Sequence, residues 1–188
     1  MNRFHSSALK MKNIKFMAIC AMFIALKVVL SYIRIPVGEN LNIIFTFIAT
    51  AVEASILGPV TATVSGFITD IVGYMIHPTG PFFPGYTLNT MLGSLIYALF
   101  LYERKITVLR LCGAKFVVNY FVNVLLGSYY SSVLYSKGYI YYLTKSLVKN
   151  TILLPIEVII LVAVFNLILP ILWQRKLVKK QEIPLKIK

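Results

Sequence analysis

His77-Pro78-Thr79-Gly80-Pro81-Phe82-Phe83-Pro84-Gly85-Tyr86 is the stretch from which this chain is read. Three of its prolines and two glycines forbid a continuous helix. Its rings and histidine give the loop flat faces and polar edges. On either side lies an apolar segment long enough to enter a bilayer. A loop of that kind between two such segments suits a lid over a flat, partly polar ligand.

Outward from the loop, the 188 residues are 59% apolar and only 13% charged, too apolar for an ordinary soluble domain. The apolar residues fall in long runs, which predicts an all-α, polytopic membrane protein. Six spans are expected, at about residues 12–33, 41–57, 60–76, 87–102, 111–134 and 147–172. External loops at 34–40, 77–86 and 136–144 then cap a ligand pocket. Residues 1–174 form one membrane domain with no room for a soluble one, and 175–188 a polar, basic, loosely ordered tail. The first run follows a basic stretch but lacks a small-residue cleavage site, so it reads as a retained helix. Gly58-Pro59 marks a tight turn between the second and third spans.

The net charge of +13 is not spread evenly. Arg3, Lys10, Lys12 and Lys15 precede the first run. Arg104, Lys105, Arg110 and Lys115 lie between the fourth and fifth. Arg175, Lys176, Lys179, Lys180, Lys186 and Lys188 follow the last. In a six-span chain these clusters share one side, which puts both termini in the cytoplasm of a cell-membrane protein. Nucleic acid is the weaker partner for this charge, since no aromatic-studded basic motif accompanies it. Cys20 and Cys112 have no metal-ligand spacing and read as core.

Asp70 stands out because a carboxylate at membrane depth faces a cavity or a partner. It lies about ten residues, or about 15 Å, into the third span. Tyr74 follows one turn above and His77 one turn further, a ladder leading to the lid. A structural ion pair with Lys27 or Lys149 is the alternative. Asn119 and Asn123 share a face of the fifth span and can donate and accept along a heterocycle edge, or join helices. Lys149 and Asn150 open the sixth span near the outer surface, where the lysine meets an anionic group or snorkels. Arg34, in the first external loop, can hold a carboxylate or stay solvated. Glu53 and Glu157 receive no role. Ala21 and Ala25, with Ala18, form a small-residue seam for packing or for a partner.

No G-x-x-x-x-G-K-[ST] loop is present, so the chain does not hydrolyse ATP by that route. Two histidines supply neither H-E-x-x-H nor a histidine-rich metal site. No Ser/His/Asp set assembles within the membrane. Binding without catalysis, metal or cofactor is the expectation.

The run Pro78 to Leu88, followed by Met91-Leu92-Gly93 and Leu95-Ile96-Tyr97, resembles the folate-specific S components of energy-coupling factor (ECF) vitamin transporters. Phe83-Pro84-Gly85-Tyr86 looks like the gating motif of that family's third loop. Ala114-Lys115 with Val118-Asn119 and Val122-Asn123 resembles its fifth helix. Leu147-Val148-Lys149-Asn150 with Leu154-Pro155-Ile156 resembles its sixth. Ala21-Met22-Phe23-Ile24-Ala25 is similar to the segment that docks on the coupling subunit. The resemblance implies a six-helix S-component bundle that binds folate outside and topples to release it inside. It also implies a transmembrane coupling protein and two cytoplasmic ATPases as partners. Two positions depart from the pattern: Ser146 stands where a basic residue is expected, and Glu157 where an amide is more usual.

The chemistry of that ligand suits the residues. One carboxylate can accept the adjacent N–H donors of a pterin, which makes Asp70 the reader of that edge, completed by Asn119 or Asn123. Phe83, Tyr86 and Tyr74 can sandwich the rings. The anionic tail points toward Arg34, Lys145 or Lys149. Rival readings are another flat vitamin such as riboflavin, a membrane scaffold without a ligand, and, last, an intramembrane enzyme.

Overall fold

The computed structural model describes residues 3–38, 41–78, 80–135, 138–178, 181 and 183–187, with the backbone alone at 34, 36–38 and 41–43. In chain order the elements are α1 (Arg3–Lys10), α2 (Ile14–Tyr32), β1 (Arg34–Gly38), β2 (Leu41–Ile44), α3 (Thr46–Leu57), α4 (Pro59–Ile76) and α5 (Pro84–Leu101). Then come α6 (Val108–Val117), a π-helical segment (Val118–Leu126), α7 (Gly127–Tyr135) and α8 (Tyr139–Gln174). The body is helical, as expected. A short antiparallel hairpin, pairing Arg34 with Ile44 and Ile35 with Ile43, is added between α2 and α3.

Among the described residues, four helical runs are long and apolar enough to cross a bilayer: Ile14–Tyr32, Pro59–Ile76, Val108–Tyr135 and Tyr139–Gln174. The expected count of six is therefore not reproduced on that measure. The hairpin takes residues expected to open the second span, leaving α3 with 12 residues, about 18 Å of helix. Its surroundings allow this. Phe47, Ala49 and every residue from Ala51 to Leu57 are buried, so α3 is wrapped by protein rather than lipid. Helix α5 has 18 residues but opens on Pro84, Gly85, Tyr86 and Thr87, a polar first turn.

Helix α1 was not foreseen. Its buried Ser7 lies over the α3–α4 turn: Ser7 Oγ donates to the Leu57 carbonyl at 2.9 Å and accepts from the Val60 and Thr61 amides at 3.1 and 3.2 Å. A side chain from another helix thus meets amides that the start of α4 cannot pair internally. Gly58 makes the turn with φ of +84°, and a Cβ there would stand 2.8 Å from the Tyr102 ring and 2.9 Å from Ser7. Only glycine meets both demands.

The other departures are at the chain's second half. Helix α8 starts at Tyr139, well before the expected 147, and runs 36 residues through Pro155 and Pro170. Of the expected loop 136–144, Ser136 and Lys137 lie outside the described residues. The rest is mostly the first turns of α8, for which Gly138 is the N-terminal boundary. The tail, expected to be loose, packs back in its described part. Val108 and Leu109 amides donate to the Lys186 and Ile187 carbonyls at 3.1 and 3.2 Å, and Leu185 is buried. Gln181 Oε1 accepts from the Ile106 amide at 2.8 Å.

Helix α4 packs on α5 and α2, α3 on α5 and α2, and α8 on α7, the π-helical segment and α6. The apolar core, with Ile56, Leu57, Leu101, Leu111, Phe165 and Leu169, gathers toward the end that carries α1 and the tail. The opposite end is hollow.

Candidate functional site

A cavity of about 660 Å³ opens among α2, α4, α5, the π-helical segment, α7 and α8, at the end away from α1 and the tail. That is within the usual range for a small-molecule site. It has three levels.

At the mouth is the lid. Thr79 lies outside the described residues. Tyr74 Oη donates to the Gly80 carbonyl at 2.9 Å, and its ring meets Phe82 at 5.2 Å between centroids. Phe83 is the N-terminal boundary residue of α5, and Pro84 takes the first helical position, where its missing N–H costs nothing. The expected gating element Phe83-Pro84-Gly85-Tyr86 is therefore the first turn of α5 rather than a free loop. Phe83 contacts Tyr130 at 5.4 Å and Tyr86 at 6.1 Å, while Tyr86 Oη shares a 3.0 Å hydrogen bond with Ser131. His77 packs edge-on against Tyr32 at 5.5 Å. The rings thus fall into two groups, Tyr74 with Phe82 and Phe83 with Tyr86 and Tyr130.

Half-way down is Asp70. Thr87 Oγ1 donates to its Oδ2 at 2.6 Å and Thr90 Oγ1 to its Oδ1 at 3.3 Å. The carboxylate faces the cavity and ties α4 to α5. Lys27, its anticipated ion-pair partner, instead pairs with Glu53. Asn123, Lys149 and Asn150 also line this level. Because α8 begins at Tyr139, Lys149 sits ten residues in, about 15 Å from the helix start, and does not open that helix as expected. Asn150 Nδ2 donates to the Ser146 carbonyl at 2.8 Å, and Ser146 Oγ to the Asn123 carbonyl at 3.3 Å. The side chain of Arg34 lies outside what the structure describes.

Two buried ion pairs form the floor. Lys27 Nζ lies 2.6 Å from Glu53 Oε2 and donates to Ser65 Oγ at 2.8 Å; Ser65 donates in turn to Glu53 Oε1. Lys115 Nζ lies 3.0 Å from Glu157 and 4.0 Å from the Phe47 ring centre. Asn119 Nδ2 donates to Glu157 Oε2 at 2.8 Å and accepts from Asn123 at 3.4 Å. Asn119 is completely buried and joins the π-helical segment to α8 instead of lining the cavity. The two pairs explain Glu53 and Glu157, which had no role in the sequence. They were findable as oppositely charged residues inside apolar helices, since such charges must pair. Tyr130 and Ser131 were missed because a Gly-Ser-Tyr-Tyr-Ser-Ser run has no distinctive spacing.

Away from the cavity, Ala18, Ala21 and Ala25 are exposed along one side of α2 among large apolar neighbours, with Met22 63% exposed. Among the described residues no cluster of three or more His, Cys, Asp or Glu could hold a metal ion.

Residues 15–165 match the family of ECF transporter substrate-specific components, and the chain belongs to that family of membrane transporter subunits. It is similar to the folate transporter FolT of Clostridium novyi (strain NT), 30% identical over 158 residues that cover 84% of this chain and 92% of that protein. It is also similar to a folate transporter FolT of Leuconostoc mesenteroides subsp. mesenteroides, 32% identical over 145 residues, covering 73% and 77%. Among solved structures it resembles the crystal structure of FolT bound with folic acid, with a TM-score of 0.71 and 32% identity. That likeness covers 78% of this chain and 88% of the other.

Proposed function

We propose that this protein is the folate-binding subunit of an ATP-driven ECF importer, taking folate from outside the cell and delivering it through the coupling module. The observation that carries this is the cavity itself, with one carboxylate at mid-depth and an aromatic lid at its mouth. An ionised carboxyl has about four lone-pair positions, and the two threonines occupy only two. Asp70 can therefore accept the paired N–H donors of a pterin without giving up its tie to α5. Tyr74, Phe83 and Tyr86 offer ring faces for the pterin and aminobenzoate, His77 and Asn123 polar edges beside them. Lys149 and Asn150, with Arg34 and Lys145, meet the anionic tail.

The protein is read as a six-span bundle in the cell membrane, α3 and α5 being the two shorter spans. The basic residues of α1, the α5–α6 turn and the tail then lie in the cytoplasm with both termini. Ala21 and Ala25 present a close-packing surface to the transmembrane coupling subunit, which in turn engages two cytoplasmic ATPases. The chain itself carries no reaction.

Isothermal titration of the purified protein with folate tests the proposal. Binding at micromolar concentration or tighter is expected; its absence, or equal affinity for riboflavin, contradicts it.

A further inference from the structure

Three polar side chains on the cavity wall hold buried atoms that make no hydrogen bond to another described residue: Tyr97 Oη, Ser128 Oγ and Asn89 Oδ1. Tyr97 is 1% exposed and Ser128 2%. The described residues contain one other such atom, Glu53 Oε2, and that one touches the Lys27 ammonium. Buried polar groups without partners are rare because each loses its hydration and gains nothing. Three beside one cavity call for a ligand that supplies the partners. Because the atoms are covered in the unliganded protein, that ligand must displace the side chains over them.

Their placement says what kind. Asn89, Gly93 and Tyr97 are spaced at i, i+4 and i+8 on α5 and share one face. Gly93 presents no side chain, so the strip between the two polar residues is flat and about 12 Å long. From α7, Ser128 approaches the outer end of this strip; Asn89 Nδ2 stands 3.7 Å from where a Cβ on the adjacent Gly127 would be. Tyr97, at the inner end, lies thirteen residues below the start of α5, about 20 Å, whereas Asp70 lies six below the end of α4, about 9 Å. The hydroxyl therefore stands near the Lys115–Glu157 floor, a full level beneath the carboxylate.

We propose that Tyr97 is a substrate-contacting residue that sets specificity. Its hydroxyl hydrogen-bonds the inner edge of a planar heterocycle, while Asn89 and Ser128 take up polar groups of the ligand nearer the mouth. The inference rests on the folate reading of this cavity and adds a deeper recognition level to Asp70. A hydroxyl both donates and accepts, so it tolerates a carbonyl or an N–H at that edge. It penalises a flat ligand whose inner edge is apolar, because the buried group then stays unpaired.

Tyr97→Phe and Ser128→Ala, each titrated with folate and melted without ligand, test it. Tyr97→Phe should weaken folate binding about tenfold, the loss of one buried hydrogen bond to the ligand. The unliganded variant should melt at the same temperature or higher, since it keeps the ring and discards the unpaired hydroxyl. Ser128→Ala should weaken binding in the same direction with no loss of unliganded stability, and it decides the matter if Tyr97→Phe does not fold. Unchanged folate affinity of a folded Tyr97→Phe overturns the inference, as does an affinity that falls only along with its unliganded melting temperature; where Tyr97→Phe does not fold, unchanged affinity of Ser128→Ala overturns it. A wild-type protein that binds no folate removes the proposed function and this inference together. Wild-type binding with unaffected variants removes the inference alone.

Discussion

Asp70 and Glu53 are both carboxylates inside apolar helices, yet their surroundings give them opposite tasks. Asp70 faces the cavity and holds two hydroxyls, which leaves acceptor capacity for a ligand. Replacing it with alanine should weaken folate binding by about 2–3 kcal/mol, because buried ligand donors lose a charged acceptor. Titration calorimetry measures this, and an unchanged affinity would reduce Asp70 to a tie between α4 and α5. Glu53 is wholly buried against Lys27 and Ser65. Glu53→Ala should cost about 3–5 kcal/mol of stability, since it strands a buried ammonium. A thermal melt in detergent should show a large drop, and little change would mean that Lys27 finds another partner. The sequence made Asp70 conspicuous because it stands in a polar helix beside a lid. It showed that Glu53 and Glu157 need partners but not which ones, because pairing depends on which helices meet, and 25 residues lie between Lys27 and Glu53. For Asn119 the sequence left two readings open for the same reason: its spacing from Asn123 fixes a shared face, and the bond to Glu157 shows that it joins helices.

At the level of elements, the readable features were those set by local chain chemistry. Gly58-Pro59 turned where expected, and α4 ended at Ile76 with α5 opening at Pro84, on either side of the Pro/Gly-rich stretch. The start of α8 was not readable, because Tyr139 to Ser146 is moderately polar and carries no breaker after Gly138. The hairpin was hidden by Pro36 and Gly38, which suggested an irregular loop. Tertiary burial made α3 a short central helix, and no sequence period reports that. The lid turn supplies a sharper test. A Cβ at Gly85 would collide with the Phe83 ring and come within 2.9 Å of Tyr130 Cδ1. Gly85→Ala should therefore push Phe83 off α5, weakening folate binding while leaving Asp70 and the helix intact. The dissociation rate is the informative readout: a loosened lid releases ligand faster, and an unchanged rate would show that the Phe83 contact does not hold it.

For the whole molecule, the proposed function assigns capture and delivery to different surfaces. The cavity lies at the end of the bundle away from α1 and the tail, whereas Ala21 and Ala25 are exposed on the outside of α2. The core between them is dense, and α1 and the tail brace its far end through Ser7, Gln181 and Leu185. A bundle braced in this way can turn in the membrane as one body, and the proposed contact with a coupling subunit then needs a side on which helices can approach closely. Small residues provide that approach, and in lipid close packing is the main source of helix affinity. Ala21→Leu and Ala25→Leu together should fill the seam without touching the cavity. The doubly substituted protein is expected to bind folate like wild type and to melt like wild type, but to support no folate uptake in cells and to fail to co-purify with the coupling module. Loss of binding would place those alanines in the bundle's internal packing. Normal uptake would move the docking surface to another side of the molecule, such as the side of α8 that exposes Ile152, Ile156, Ile159 and Leu167.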